Sequence, residues 1–185
     1  MNNAAIGAIE FSSIGAGYRA EDELLKSATV ELLIARTICS GKFLVVFTGL
    51  VSDVEAAVKT ALDIGGEFVV DHLMVPSVHP ALFPAMAQSV VLSPEEIGSL
   101  GVIETFSATS ALVAADVAAK AANVTLFRLN MAMAMGGKGL LMMTGSVANV
   151  EAAVEAAADE VKKHGLLVST TVIARPQREL FEDYL

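Results

Sequence analysis

Apolar stretches alternate along this chain between strand-like runs and helix-like spacing, punctuated by glycine, serine and short charged segments. Ala4–Phe11 is largely apolar, holds β-branched Ile6 and Ile9 and runs into a Ser/Gly turn, which predicts a strand. Tyr18–Ser27 predicts a helix, with Leu24, Leu25 and then Ala28 forming an apolar stripe. Val30–Thr37 and Phe43–Thr48 predict two strands of a hairpin around Cys39-Ser40-Gly41, with Gly41-Lys42 at its tip. The next helix presents Val54, Ala57, Val58, Ala61 and Leu62 on one face. Ser52 or Asp53 is its expected cap, Ser52 forming a capping box with Glu55, and Gly65-Gly66 is its stop. Phe68–Pro76 is the last strand of the series.

The series then repeats. Gly101–Phe106 predicts a strand, Ser110–Ala122 a helix and Val124–Met131 a strand. A turn at 136–139 leads to a returning strand Leu140–Thr144, a helix Asn149–Lys163 stopped by Gly165, and a strand Leu166–Ile173. Between the series, His79–Gln88 predicts a short helix. Each series reads β-α-β-β-α-β, an α+β, ferredoxin-like pattern with an antiparallel four-stranded sheet and helices packed on it. That fold hosts many functions and settles none.

The two series are copies. Gly7-Ala8-Ile9-Glu10 returns as Gly101-Val102-Ile103-Glu104 at an offset of 94, and Gly41-Lys42 returns as Gly137-Lys138 at an offset of 96. Val54-Glu55-Ala56-Ala57-Val58 returns unchanged as Val150-Glu151-Ala152-Ala153-Val154. A unit this long is a domain rather than a solenoid repeat. One fold has been duplicated and fused, with expected domains 1–92 and 97–185 and a polar, Pro-containing boundary at Leu92–Glu96. Fused twins tend to keep the symmetry of the oligomer they came from, so assembly is the first expectation. The step in offset places an insertion at the loop that holds Cys39, where a rigid scaffold carries function.

The chain has 185 residues, 54% of them hydrophobic but only 5% aromatic. Its mean hydropathy is +0.61. Ala, Val, Leu and Met thus carry the apolar load, which suits tight packing and surface buried between subunits. No apolar run approaches the ~18 residues of a membrane span. Met1-Asn2-Asn3 has no basic region, so no signal peptide is expected. The net charge of −9, without a Lys/Arg cluster, argues against nucleic acid and anionic membrane surfaces. The single cysteine fits a reducing cytosol.

The repeated Gly-(Ile/Val)-Ile-Glu strand closely resembles the bacterial microcompartment shell domain. So do the helices carrying Asp22 or Asp116 with Lys26 or Lys120, the Gly-Lys loops, and Val-Ile-Ala-Arg-Pro at Val172–Pro176. The resemblance covers nearly the whole chain, twice, in an order that is not circularly permuted. It points to the tandem-domain shell proteins (BMC-T), and within them to the propanediol-utilisation T type. There it rests on Arg36–Phe43, Gly136-Gly137-Lys138, Val78-His79-Pro80 and Gly165–Val168. It implies a homotrimer with the outline of a hexagonal tile, building the facet of a shell inside the bacterial cytoplasm beside other shell proteins. It also implies that Cys39 lies at the tile's central axis, where three copies hold one 4Fe-4S cluster per trimer. Electron transfer across the shell, or cluster transfer, follows as the expected role, with an encapsulated redox enzyme as a possible partner. Ser40 stands where the resemblance implies proline.

The residues lend this some independent support. The counterparts of Cys39 are Met133 or Met135, depending on the offset, so the copies differ most at the loop expected to face the axis. One cysteine per chain cannot hold a four-iron cluster, which takes about four thiolates; a threefold axis supplies three. Glycines at 41, 136, 137 and 139 permit close backbone approach. Ser40, Gly41, Met133, Met135, Gly136 and Gly137 are therefore the expected pore loops. The loop's own N–H groups and Lys42 are expected to offset the cluster's charge. The resemblance further implies that Lys26, Lys120 and Arg175 form the tile edge, with His79 the first-copy counterpart of Arg175.

Three other readings fit less well. Gly136-Gly137-Lys138-Gly139 is not a phosphate loop, for it opens a strand and lacks the G-x-x-x-x-G-K-[ST] spacing. No Ser/His/Asp or Cys/His set suggests an enzyme, and His72, His79 and His164 fall at unrelated repeat positions. The rival from another class is a ferredoxin-like small-molecule sensor or regulatory trimer.

Overall fold

The computed structural model describes residues 5–185; the expected strand start at Ala4 lies outside the described residues. The chain divides into two compact units, one of 5–78 with 132–137, the other of 79–131 and 138–185. Each holds one copy of the predicted pattern.

In the first unit the order is β1 (Ala5–Phe11), α1 (Ile14–Ser27), β2 (Val30–Ile38), β3 (Lys42–Gly49), α2 (Val51–Gly65) and β4 (Val69–Val75). The strands form a sheet in the order β2-β3-β1-β4, antiparallel throughout. Ile9, Phe11, Phe43, Val45 and Phe47 point from β1 and β3 to the helices, where Ala20, Leu24, Val54, Ala57 and Ala61 close the core. The repeated glycine has a packing reason. A Cβ at Gly7 would stand 2.6 Å from the Phe47 ring, and one at Gly101 would stand 2.8 Å from Val150.

The second unit begins with a short helix α3 (Leu82–Met86) and continues β5 (Ser99–Thr105), α4 (Ala108–Ala121), β6 (Thr125–Met131), β7 (Gly139–Gly145), α5 (Val147–Lys162) and β8 (Leu167–Ile173). Its sheet order is β6-β7-β5-β8. The copies match down to their irregularities. Both lose register one residue after the repeated glutamate, between Glu10 and Phe11 and between Glu104 and Thr105.

Two differences from the sequence reading concern boundaries. Segment 79–92 belongs to the second unit, whereas the sequence places it in the first domain. Its Leu92 is buried with Leu100, Phe127 and Phe181, and the Leu92 N–H donates to the Tyr184 carbonyl at 2.7 Å. The linker is thus part of a small core shared with the chain's last turn. Segment 132–137 groups with the first unit, because its backbone bonds to the turn that joins β2 to β3.

Helix starts also differ. Helix α1 begins at Ile14, four residues before the expected Tyr18, because Ser13 caps it by accepting from the Ala16 N–H at 3.3 Å. Helix α2 has Leu50 at its cap with no side-chain hydrogen bond; Ser52 and Asp53 lie inside its first turn, so the expected capping box is absent. Gly66, at φ 49°, ends α2 as predicted. A capping box does form farther along, between Ser93 and Glu96, in the turn before the second copy's first strand. Among the described residues, no helix is long and apolar enough to cross a membrane.

Candidate functional site: the turn around Cys39

Strand β2 ends at Ile38, and Cys39-Ser40-Gly41 make one tight helical turn before β3. Ser40 sits at φ 67° and Gly41 at φ 69°, the left-handed region. Proline, fixed near φ −65°, could not take Ser40's place in this conformation. Serine in place of the expected proline is therefore matched to this backbone conformation.

Against this turn lies segment 132–137 of the second copy. The Cys39 N–H donates to the Ala132 carbonyl at 3.1 Å. The Ala134 N–H donates to Cys39 Sγ at 3.0 Å. The Ser40 hydroxyl donates to the Gly136 carbonyl at 3.3 Å. These bonds explain why six residues of the second copy group with the first unit. The Cys39 thiol is held below its ordinary pKa by the backbone N–H groups of Met135 and then Ala134, with smaller help from Gly136 and Gly137. Cys39 is half-buried and unpaired with any other cysteine.

The expected pore residues are thus in one place: Cys39, Ser40, Gly136 and Gly137 are bonded or packed together. Gly41 has open space around it. Met133 is exposed, and neither it nor Met135 fills a core. Lys42 is not available as expected. Its ammonium pairs with the buried Glu10 carboxylate, and only 17% of its side chain is exposed. Its second-copy counterpart Lys138 pairs with Glu104 at 2.7 Å and is more open. Glu104 also accepts from Ser169, and Lys138 first and Ser169 second hold its carboxyl below the usual range.

The expected edge residues lie outside the turn. Lys26 is exposed in the last turn of α1, paired with Asp22 at 2.5 Å and Glu23 at 3.2 Å. Lys120 ends α4 and pairs with Asp116. Arg175 is exposed beyond β8. His79 is tied in rather than free on the surface: its N–H donates to Asp116 at 2.8 Å, and its Nδ1 accepts from the Ala81 N–H at 3.3 Å. Asp116, nearly buried, thereby joins Lys120 to the linker. Sequence reasoning missed the role of Asp116 and of Ala132 and Ala134. Neither alanine carries a chemical signal in its side chain; each acts through its backbone.

In donor chemistry, one chain offers a single thiolate. Among the described residues no three of His, Cys, Asp and Glu gather to hold a metal. A sulfur that receives amide N–H bonds fits a cluster ligand, whose properties such bonds tune.

Two α+β copies in tandem, the first carrying the chain's single cysteine at a strand-connecting turn, make a duplicated two-domain protein. The chain belongs to the BMC domain family, whose model matches residues 5–78 and 99–176. It is a structural shell protein of a bacterial microcompartment and resides in that shell within the cytoplasm. It is 41% identical over 177 residues to the bacterial microcompartment shell protein PduT of Citrobacter freundii, covering 96% of this chain and 95% of that protein. It is 30% identical to the carboxysome assembly protein CcmO of a Synechocystis species, over 97% of this chain and 64% of that one. A crystal structure of a microcompartment protein from Desulfitobacterium hafniense DCB superposes with a TM-score of 0.86 at 38% identity, covering 96% of this chain and 98% of that one. A fused permuted hexameric shell protein from the RMM microcompartment matches at TM-score 0.64 and 27% identity, over 86% and 82% of the two chains.

Proposed function

We propose that this shell protein is a homotrimeric facet tile that carries one 4Fe-4S cluster on its central axis, bound by Cys39 of each chain. The carrying observation is the Cys39 sulfur at an interstrand turn, facing the amide of Ala134 at 3.0 Å. Likeness to PduT over nearly the full chain supports the reading. A bound cluster would supply one-electron transfer across the shell. The chain's own contribution is to present a thiolate, to satisfy it with N–H donors and to close the surrounding turn. Three chains give three thiolates, and an exogenous thiol or water completes the set. Other shell proteins of the same compartment are the tile's neighbours, and an encapsulated redox enzyme is its electron partner.

Protein purified without oxygen should be brown, with visible absorption that bleaches on reduction and a paramagnetic signal in the reduced state. Cys39→Ala should lose both and keep its assembly. Reconstituted wild type that binds no iron would sink the cluster reading while leaving the tile in place.

A further inference from the structure

The segment facing Cys39 has an unusual backbone. Ala132 and Ala134 sit at φ 59° and 60°, followed by Gly136 at 62° and Gly137 at 89°, whereas Met133 and Met135 between them are not in positive φ. A non-glycine residue in the left-handed region is disfavoured by the crowding of its Cβ against the following carbonyl. Alanine has no polar side chain with which to offset that cost locally. Alternation of this kind turns successive N–H groups toward one concavity, the arrangement that receives anions. What lies in front of the Ala134 amide, at 3.0 Å, is the Cys39 sulfur. The first copy offers no equivalent, because its own turn carries the sulfur.

We infer that the duplicated copies have divided roles at this turn, the first supplying the Cys39 sulfur and the second supplying, through the backbone N–H of Ala134, the donor that fixes and tunes it. This rests on the cluster reading and deepens it. The donor comes from the second copy's turn and not from Lys42, which is committed to Glu10. Ala134 is accordingly a positioning residue. Its bond holds the sulfur in orientation and favours the more negatively charged, reduced state of whatever the sulfur binds. The divergence of the two loops follows. A second cysteine at Met133 or Met135 would put a competing thiol on a segment whose backbone already serves the first.

Amide hydrogen exchange in iron-free protein tests the contact without any cluster. The Ala134 N–H should be protected in the wild type and exchange up to about tenfold faster in Cys39→Ala, the equivalent of one net hydrogen bond. Cys39→Ser, whose oxygen can accept, should fall between. The Cys39 N–H, bonded to the Ala132 carbonyl, should stay protected in both and show that the turn is intact. Equal Ala134 exchange in wild type and Cys39→Ala would overturn the inference. The second arm replaces Ala134 with lactate, which exchanges the N–H for an ester oxygen and keeps the methyl group. In iron-loaded protein this should shift the reduction potential to more negative values, and an unchanged potential would overturn the tuning role. Failure of the wild type to bind iron would defeat the cluster reading instead, while the exchange arm still decides this one.

Discussion

A single carboxylate illustrates how equivalent residues diverge after duplication. Glu10 is fully buried against Lys42, whereas Glu104 is one-third exposed against Lys138 and Ser169. The folded state holds Glu104 below the usual carboxylate range, chiefly through Lys138. A group whose pKa is depressed on folding adds stability above its unfolded value, near 4.5. That stability is lost as pH falls through the lower, folded value. Glu104→Gln should therefore lose less stability than the wild type between neutral pH and strong acid, as read from denaturant midpoints. Parallel curves would show that Lys138 contributes nothing to Glu104. The exposure of both partners keeps the effect modest. Lys26 makes the opposite case. Its ion pairs are water-screened surface pairs along one helix and contribute little to stability. Lys26→Glu should leave the thermal midpoint nearly unchanged, yet sheets or tubes in negative-stain images should thin out or vanish, as they should for Arg175→Glu. Undiminished sheets in both variants would remove these residues from the tile edge.

Helices in the two copies start at equivalent positions, but their caps sit in different surroundings. Ser13 and Ser107 both cap, yet Ser107 is 1% exposed and its hydroxyl also bonds Ser110 and approaches Thr109. Deleting a cap costs about 1 kcal/mol. Ser13→Ala should cost that much. Ser107→Ala should cost about 1 kcal/mol more, since it leaves buried hydroxyls short of a partner. Equal losses in urea titrations would contradict the role assigned to the buried hydroxyls. The sequence pattern showed each strand and helix because the apolar spacing repeats and each is held by a core it can satisfy locally. Starts were harder. Gly15 and Gly17 are poor helix formers and hid the first turn of α1, although Ser13 was in place to cap it. Ser52 with Glu55 had the right residues for a box two residues too late.

The repeat, its length and its offset disclosed the architecture of the whole chain, because duplication writes the same core twice. Cys39, the glycines and the alternating methionines were equally visible. Their meeting was not, since nothing in the residue types says that Ala134 carries its amide to a sulfur 95 positions away. Backbone donors leave no mark in a side-chain alphabet, and the positive φ of Ala132 and Ala134 runs against their own preference. The reach of the linker was hidden for a similar reason: Leu92 looks like a boundary residue until Phe181 and Phe127 cover it.

The claim that joins these scales is that three identical chains meet around one cluster held by Cys39. Native mass spectrometry of protein prepared without oxygen tests it in one spectrum. The account predicts three chains together, with added mass of about four irons and four sulfides, and the same three chains without that mass for Cys39→Ala. Single chains at micromolar concentration, or a wild-type trimer that carries no iron after reconstitution, would contradict it.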